Sequence, residues 1–379
     1  MKFLCPQKKL LNALGIVSKT IANNTTLPIL EHILLELQGS TLHMTSTDLE
    51  ISVKTYIDVD GSEDGAMTIP AKLLFQYVSL LPEHSTISVQ TSDDYVATLE
   101  TTSSKTRIKG MNKDEYPKIP SFEGFAEASV SRVNLVHSIG QVIFSASSNT
   151  TRPMLAGVMF QFTPEFGLVL AATDGFRLSE KKVTLEEARD TEGVKVIIPS
   201  RTLTEVMRMG SPDDEQGSHM RLSFAKNQMM VTYGATTLMS RLIEGTYPDY
   251  TKIIPSSHTS TTVVPSQELL QTLKRVSLFA KEQNYHVKLE VVPGERKLLV
   301  YSDSTQIGEE RAELVSDHCE GEQVKIALNA LYVIDVLNHC DGGEVLLELG
   351  SETSPAVFRI QSKGKLDESY LHLIMPLRV

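Results

Sequence analysis

The chain has 379 residues, and because a typical domain has about 150 residues, two or three domains are expected. Hydrophobic residues make up 41% of the chain and charged residues 22%, a composition that excludes disordered, collagen-like and mucin-like proteins. The formal net charge of −11 argues against a surface coated throughout with basic residues for binding nucleic acid.

The cysteines and the amino terminus indicate the compartment. Cys5, Cys319 and Cys340 form no Cys-x-x-Cys pair, so neither a zinc site nor a disulfide framework is indicated and a reducing environment is predicted. Proline and lysine interrupt the first fourteen residues where a signal peptide needs an unbroken apolar core, and no run of about 18 apolar residues occurs. The sequence therefore predicts a cytoplasmic protein without a membrane span.

The first third of the chain alternates between two hydrophobic periods. Apolar residues at three- and four-residue spacing predict a helix in 6–22, and strict alternation predicts a strand over 51–59. A second helix is predicted over 70–81, followed by strands that include 87–89 and 95–101. The order helix, strands, helix, strands indicates an α+β plan in which two helices cover one face of an antiparallel sheet.

This order recurs because the sequence contains internal repeats. Residues 24–30 and 149–155 share five of seven positions at a displacement of 125. Thr47-Asp48 then matches Thr173-Asp174, and 69–72 matches 198–201.

A third, fainter copy carries Ser302-Asp303, with 326–329 in place of 198–201. Three domains are therefore predicted, at 1–124, 128–254 and 259–379. The four remaining helices are predicted at 129–147, 199–210, 265–283 and 327–340.

Positive charge is concentrated in the helical segments. The six predicted helices carry a formal net charge of +6, so the rest of the chain carries −17. Exposed basic helices would bind DNA phosphates without reading bases, in a salt-sensitive manner. The alternative, that these side chains only offset helix dipoles, is left open by charge alone.

No sequence motif for catalysis is present. The phosphate-binding loop, the dinucleotide turn, the zinc-protease helix and the nucleophile elbow all lack their signatures. The best enzymatic constellation is the carboxylate pair Asp48 and Asp174, but carboxylates that recur in each repeat are expected to cap turns. The histidines share no ligand-like spacing, so no metal, no cofactor and no enzymatic activity are predicted.

Several segments resemble one family. They are Met1-Lys2-Phe3, Thr26-Leu27-Pro28-Ile29-Leu30, Thr47-Asp48-Leu49-Glu50, Ala172-Thr173-Asp174-Gly175-Phe176-Arg177-Leu178, Tyr247-Pro248-Asp249-Tyr250 and Met375-Pro376-Leu377-Arg378-Val379. In this order and spacing the chain resembles the bacterial DNA polymerase III beta subunits, the sliding clamps, from Met1 to Val379.

The resemblance implies three clamp domains per chain and a ring made of two chains arranged head to tail. Helices would line the central hole, so that twelve helices with a formal charge of +12 face duplex DNA. DNA contacts are implied for residues in two loops and at two helix starts: Asn24, Lys72, Asn149, Pro153, Met154 and Arg201. Ring closure is implied for Thr106 and Ile108 of one chain and Leu278 and Phe279 of the other.

The resemblance also implies a pocket for a short peptide between the second and third domains, with Arg177 and Arg378 at its rim. Its implied residues are Leu155, Thr173, Gly175, Phe176, Arg177, Leu178, Pro248, Ile253, Tyr332, Leu373, Met375, Pro376, Leu377 and Arg378. The implied partners are double-stranded DNA, a second copy of the chain, the catalytic subunit of DNA polymerase III, an ATP-driven clamp loader and other proteins with a clamp-binding motif. Two alternatives are a cytosolic three-repeat interaction scaffold without DNA binding and a hydrolase or transferase that uses Asp48 and Asp174.

Overall fold

The structure is a computed structural model that describes residues 1–21, 26–149, 151–210, 219–304, 308–340 and 342–377. Within these residues lie six α-helices, each inside a predicted helical segment: α1 (Gln7–Val17), α2 (Ala71–Ser79), α3 (Arg132–Ile143), α4 (Ser200–Met207), α5 (Ser266–Ala280) and α6 (Ala330–Leu337). The six predicted helices are confirmed, and all are shorter than predicted.

The strands in the same residues follow in chain order. They are β1 (Lys2–Pro6), β2 (His32–Gln38), β3 (Thr41–Thr47), β4 (Ile51–Asp58), β5 (Asp60–Glu63), β6 (Gly65–Pro70), β7 (Thr86–Thr91), β8 (Val96–Glu100), β9 (Lys105–Lys109), β10 (Ala126–Ser131), β11 (Gly157–Thr163), β12 (Gly167–Thr173), β13 (Arg177–Val183), β14 (Glu187–Arg189), β15 (Lys195–Pro199), β16 (His219–Phe224), β17 (Gln228–Tyr233), β18 (Thr236–Arg241), β19 (Ser260–Pro265), β20 (His286–Val292), β21 (Lys297–Ser304), β22 (Gly308–Val315), β23 (His318–Gly321), β24 (Val324–Asn329), β25 (Glu344–Leu349), β26 (Ala356–Ser362), β27 (Lys365–Leu366) and β28 (Tyr370–Ile374).

The helices form where the predicted apolar face meets a sheet. α1 buries Leu10, Leu14 and Val17 along one face and packs on β3, β4 and α2. Pro70 and Pro265 stand immediately before α2 and α5, positions where the missing proline N–H leaves no helical hydrogen bond unmade. The helices in the described residues are also short: none is long and apolar enough to cross a bilayer.

The chain divides into two compact units. The first contains 1–133, 185–191 and 201–242, and the second contains 134–184, 192–200 and 243–379. The repeats predicted from the sequence number three, and the strands of the central repeat are shared between the two units. The physical reason is that sheets continue from one repeat into the next.

In the first unit, a five-stranded sheet has the order β5-β1-β7-β8-β9, and a nine-stranded sheet has the order β14-β10-β16-β17-β18-β4-β3-β2-β6. The pairing of β18 with β4 places Leu238 opposite Val53 and joins the central repeat to the first. This pairing is antiparallel, like those of β3 with β4 and of β8 with β9.

In the second unit, a ten-stranded sheet has the order β15-β11-β12-β13-β28-β26-β25-β19-β23, with β27 paired to β26, and a four-stranded sheet has the order β22-β21-β20-β24. Leu178 of β13 lies opposite Leu373 of β28, which joins the central repeat to the third. α5 and α6 pack on each other and on these sheets, over a core that includes Leu273, Leu289 and Val333. Helices packed on antiparallel sheets confirm the predicted α+β class.

The residues of the third repeat that correspond to those of the first two differ from the ones predicted. Pro70 ends β6 before α2, and Pro199 ends β15 before α4. In the third repeat the residue in that position is Asn329, which ends β24 before α6. The prediction put Ala327 at the position of Pro199, and it is wrong by two residues. The side chain of Asn329 caps α6 by accepting a hydrogen bond from Leu331 N (2.9 Å).

Candidate functional site

The two recurring Thr-Asp pairs form turns at the ends of β3 and β12. Asp48 Oδ1 accepts hydrogen bonds from the N–H groups of Glu50 (3.0 Å) and Ile51 (2.8 Å). Asp174 Oδ1 accepts the equivalent bonds from Phe176 (2.9 Å) and Arg177 (3.0 Å). The predicted turn-capping role is confirmed, because the carboxylates bind backbone donors in the manner of an Asx turn.

The hydroxyl groups of the neighbouring threonines form hydrogen bonds within the same two turns. Thr47 Oγ1 accepts a hydrogen bond from Leu49 N–H (3.1 Å) and donates one to the carbonyl four residues after itself (3.0 Å). Thr173 Oγ1 does the same with Gly175 N–H (3.0 Å) and with the carbonyl four residues on (2.6 Å). The third residue of each turn has positive φ, 77° for Leu49 and 93° for Gly175. The two repeat junctions therefore share one backbone design.

At the junction of the central and third repeats, the chain after β28 binds to both repeats. Met375 N–H donates to Phe176 O (2.8 Å), and Leu377 N–H donates to Ala327 O (2.8 Å). The segment 375–377 therefore lies between the central Thr-Asp turn and β24. Met375 thus lies next to residues predicted to form a pocket with it, whereas Leu377 bonds to Ala327, which was not among them.

The predicted pocket residues divide into a buried floor and an exposed wall. Leu155, Leu178 and Leu373 belong to one buried apolar cluster, with Met375 packed against it. Phe176 and Ile253, by contrast, are 61% and 41% exposed, and Pro248 is exposed. Exposed apolar side chains above an apolar floor suit an extended peptide with hydrophobic anchors. Arg378 lies outside the described residues.

Arg177, which was predicted to lie at the rim of the pocket, has a side chain that is only 11% exposed. Its Nε lies 3.0 Å from Asp174 Oδ2, and its Nη1 lies 2.5 Å from Asp335 Oδ2. The guanidinium also lies over two rings, 4.5 Å from the centroid of Tyr332 and 5.6 Å from that of Phe144. Two carboxylates and two rings hold the charge inside the junction.

Burial and charge shift the pKa values of neighbouring groups. Burial raises the pKa of the Tyr332 hydroxyl, and Asp174 adds to the effect. Burial lowers the pKa of His372 well below its ordinary value, with a further contribution from Arg177. His372 is therefore neutral at pH 7, and its Nδ1 lies 2.7 Å from Ser179 Oγ.

The residues predicted to contact DNA fall in both units. In the first unit, Lys72 and Arg201 occupy the second position of α2 and α4. Lys72 is exposed, whereas Arg201 Nη1 lies 2.6 Å from Asp48 Oδ2 while its side chain stays 55% exposed. Arg201 thus has a carboxylate partner that the sequence did not predict.

In the second unit, Asn149 is exposed and its Oδ1 accepts a hydrogen bond from Thr151 N–H (2.9 Å). Pro153 is exposed at the start of a short 3-10 turn, and Met154 packs on the apolar cluster below it. Asn24 lies outside the described residues.

The residues predicted to close a ring lie on the edge strand β9 and on α5, which packs on the edge strand β22. Thr106 and Ile108 share the inward face of β9, where Ile108 is buried. Leu278 of α5 is 69% exposed, and the Phe279 ring borders Gly308, the first residue of β22. In the described part of the chain, β9 pairs only with β8 and β22 only with β21, so each strand leaves one edge unpaired.

Besides the pairing of Arg201 with Asp48, sequence reasoning missed three features. Asp335 has a helical spacing of three residues from Tyr332, but its partner Arg177 is 158 residues away. The charged residues of β9 and β22 were visible in the sequence, yet only the sheet order identifies the two strands as edges. A cavity of about 200 Å³ at the first junction is lined by the Thr47–Ser52 turn, the segment 117–120 and β18. Among the described residues, no group of histidine, cysteine and carboxylate side chains is placed to hold a metal ion.

Comparison with known proteins gives matches along the chain. Family models for the DNA polymerase III beta subunit match in its N-terminal domain (residues 1–120), central domain (129–249) and C-terminal domain (251–378). The beta sliding clamp of Synechococcus elongatus is 30% identical over 381 residues, covering 100% of both chains. The crystal structure of the Bacillus subtilis DNA polymerase sliding clamp is 28% identical, with a TM-score of 0.92 over 100% of this chain and 99% of that one. A Streptococcus pneumoniae DNA polymerase III beta chain is 26% identical, with a TM-score of 0.92 over 100% of both.

Proposed function

Because the chain belongs to the DNA polymerase III beta subunit family, the beta sliding clamps, we propose that it is a DNA sliding clamp that encircles duplex DNA. In this role it is a processivity factor that tethers the replicative polymerase and other replication and repair proteins. It works in the cytoplasm as a non-catalytic protein, and its domains are 1–124, 128–254 and 259–379. An ATP-driven clamp loader opens the ring.

The observation that carries the ring is the charge of the two unpaired edges. β9 exposes Lys105, Arg107 and Lys109. β22 carries Glu309, Glu310 and Glu313 against a single Arg311. A positive edge and a negative edge on one chain favour head-to-tail pairing of two chains over pairing of like edges. Closure of the ring also removes both exposed edges, which would otherwise invite aggregation.

The inner contacts to DNA are weak and sequence-independent in this proposal. Lys72 and Arg201 at equivalent helix starts, together with Asn24, Asn149, Pro153 and Met154, contact the phosphate backbone. Since a closed ring retains DNA by topology, a few screened contacts suffice and the clamp can slide.

Partner proteins bind at the junction of the central and third repeats. An extended peptide uses the exposed Phe176 and Ile253 as anchor sites, and the buried Leu155, Leu178 and Leu373 support the pocket from within. The polymerase catalytic subunit, the clamp loader and other proteins with a clamp-binding motif compete for this pocket. The alternative is an interaction scaffold without DNA binding. It would have the same peptide pocket, but its function would not require two strand edges of opposite charge.

Charge reversal tests ring closure. The triple variant Lys105→Glu, Arg107→Glu, Lys109→Glu is expected to be a monomer near the chain mass of 41.9 kDa by light scattering at low micromolar concentration. Adding Glu309→Lys, Glu310→Lys and Glu313→Lys to the same chain restores complementarity and should restore the dimer. A triple variant that stays dimeric, with circular dichroism like that of the wild type, would contradict this mode of closure.

A further inference from the structure

Arg177 links two repeats at the peptide pocket. It begins β13 of the central repeat, and its partner Asp335 belongs to α6 of the third repeat. Asp335 and Tyr332 lie one turn apart on α6, and the guanidinium contacts both, at 2.5 Å and 4.5 Å. A single side chain from β13 therefore holds the face of the helix that carries the pocket residue Tyr332.

Aromatic stacking extends the same connection. Phe144 follows α3 and lies under the guanidinium at 5.6 Å. Its ring also stacks on that of His339, with centroids 4.5 Å apart and planes 11° apart, and lies 5.5 Å from the ring of His372. His339 also lies against the helix itself, its Nδ1 2.8 Å from Asp335 O. Arg177 thus contacts two residues of α6, and Phe144 contacts His339 just after the end of the helix.

The preceding repeat offers a matched comparison. Glu205 is the sixth residue of α4, just as Asp335 is the sixth residue of α6. The Glu205 side chain is 10% exposed, against 42% for Asp335, and it pairs with Arg208 of its own helix, 2.9 Å away. The two carboxylates therefore occupy the same helix position. Asp335 pairs with an arginine of the preceding repeat, whereas Glu205 pairs within its own helix.

We propose that Asp335 is a positioning residue for partner binding: through Arg177 it fixes α6, and with it Tyr332, as one wall of the peptide pocket. This inference rests on the proposed peptide-binding function. Asp335 contributes by holding the wall in place before the peptide arrives, so that less ordering is needed on binding. Removing its charge leaves Asp174 as the carboxylate partner of Arg177 and loosens the Tyr332 face of α6, while the opposite face stays packed in the core.

The test uses the full-length dimer and a fluorescent peptide that carries the clamp-binding segment of the same organism's DNA polymerase III catalytic subunit. Asp335→Asn is expected to weaken peptide binding roughly 5-fold, since the lost pair is charge-assisted but half exposed. Glu205→Gln is the control and should leave the affinity within 1.5-fold of wild type, as roughly expected for a site outside the pocket. Asp335→Glu should recover most of the affinity.

A double-mutant cycle separates positioning from direct contact. If Asp335 acts through Arg177, Asp335→Asn has little further effect in an Arg177→Gln background. A full 5-fold loss in that background would mean that Asp335 meets the peptide itself, and it would overturn the proposal.

Hydrogen exchange of α6 supplies a readout that needs no peptide. Asp335→Asn should speed exchange in 330–337, and Glu205→Gln should not. Unchanged exchange in α6 would overturn the positioning role even where the affinity falls. A wild-type protein that fails to bind the peptide would instead refute the proposed pocket, and the exchange result would still decide whether Asp335 holds the helix.

Discussion

Replacing Asp48 by alanine tests the structural reading of the Thr-Asp turns. The carboxylate is 5% exposed and has three contacts, the N–H groups of Glu50 and Ile51 and the guanidinium of Arg201. An enzyme that used Asp48 as a base would lose activity with its stability unchanged. A turn cap would lose stability instead.

The contacts set the size of the loss. Ile51 is only 2% exposed, so its N–H loses a charge-assisted acceptor that water does not readily replace, at a cost of about 2 kcal/mol. The N–H of Glu50 is exposed, so water replaces its acceptor and about 0.5 kcal/mol is lost. Because the Arg201 side chain is 55% exposed, its pairing adds about 0.5 kcal/mol. The total of about 3 kcal/mol corresponds to a fall of roughly 6–12 °C in Tm for a unit of this size.

Scanning calorimetry measures this change. Asp58→Ala, an exposed aspartate at the end of β4, is the control and should shift Tm by less than about 2 °C. Asp48→Asn keeps an oxygen acceptor and should lie between the two. If Asp48→Ala is as stable as the Asp58→Ala control, the turn-capping account is refuted.

Three further predictions concern the second unit and DNA contact. Because burial depresses the pKa of His372 below the unfolded value of 6.5, its stability contribution is complete above pH 6.5 and declines on acidification. The free energy of unfolding falls by at most about 1.4 kcal/mol per pH unit from this group. Urea titrations from pH 7 to 5 should therefore show a weaker pH dependence of the free energy of unfolding for His372→Gln than for the wild type. Deletion of 375–379 removes the backbone bonds to Phe176 and Ala327; peptide binding should be lost in fluorescence anisotropy while the dimer mass is retained. Lys72→Gln should lower the salt slope of DNA binding more than Arg201→Gln, since Arg201 is already paired with Asp48; equal slopes would contradict this ordering.

The helices and strands were predictable because burial of one face places apolar residues at regular spacing in the sequence. Leu10, Leu14 and Val17 mark the buried face of α1, and Ile51, Val53 and Thr55 mark that of β4. Helix ends were not predictable, since local hydrogen bonds decide them. The helix predicted to reach 147 ends at Ile143, where Ser147 N–H turns to bond Leu155 O.

The site was predictable only where its parts recur or follow a motif. Asp48 and Asp174 recur, and their turn role could be inferred from repetition. The pairing of Arg177 with Asp335 joins residues 158 positions apart, and no spacing rule connects them. The same holds for Arg201 and Asp48, whose pairing changes the charge available to DNA.

The most direct test of the clamp is topological. Labelled protein is loaded by the clamp loader onto a nicked circular plasmid, separated from free protein by gel filtration, and then treated with an enzyme that cuts the plasmid once. A closed ring around DNA should give a salt-resistant complex on circular DNA that is released on linearisation. Equal retention on linear DNA, or no retention on the circle by a protein that is dimeric in solution, would contradict a ring that encircles DNA.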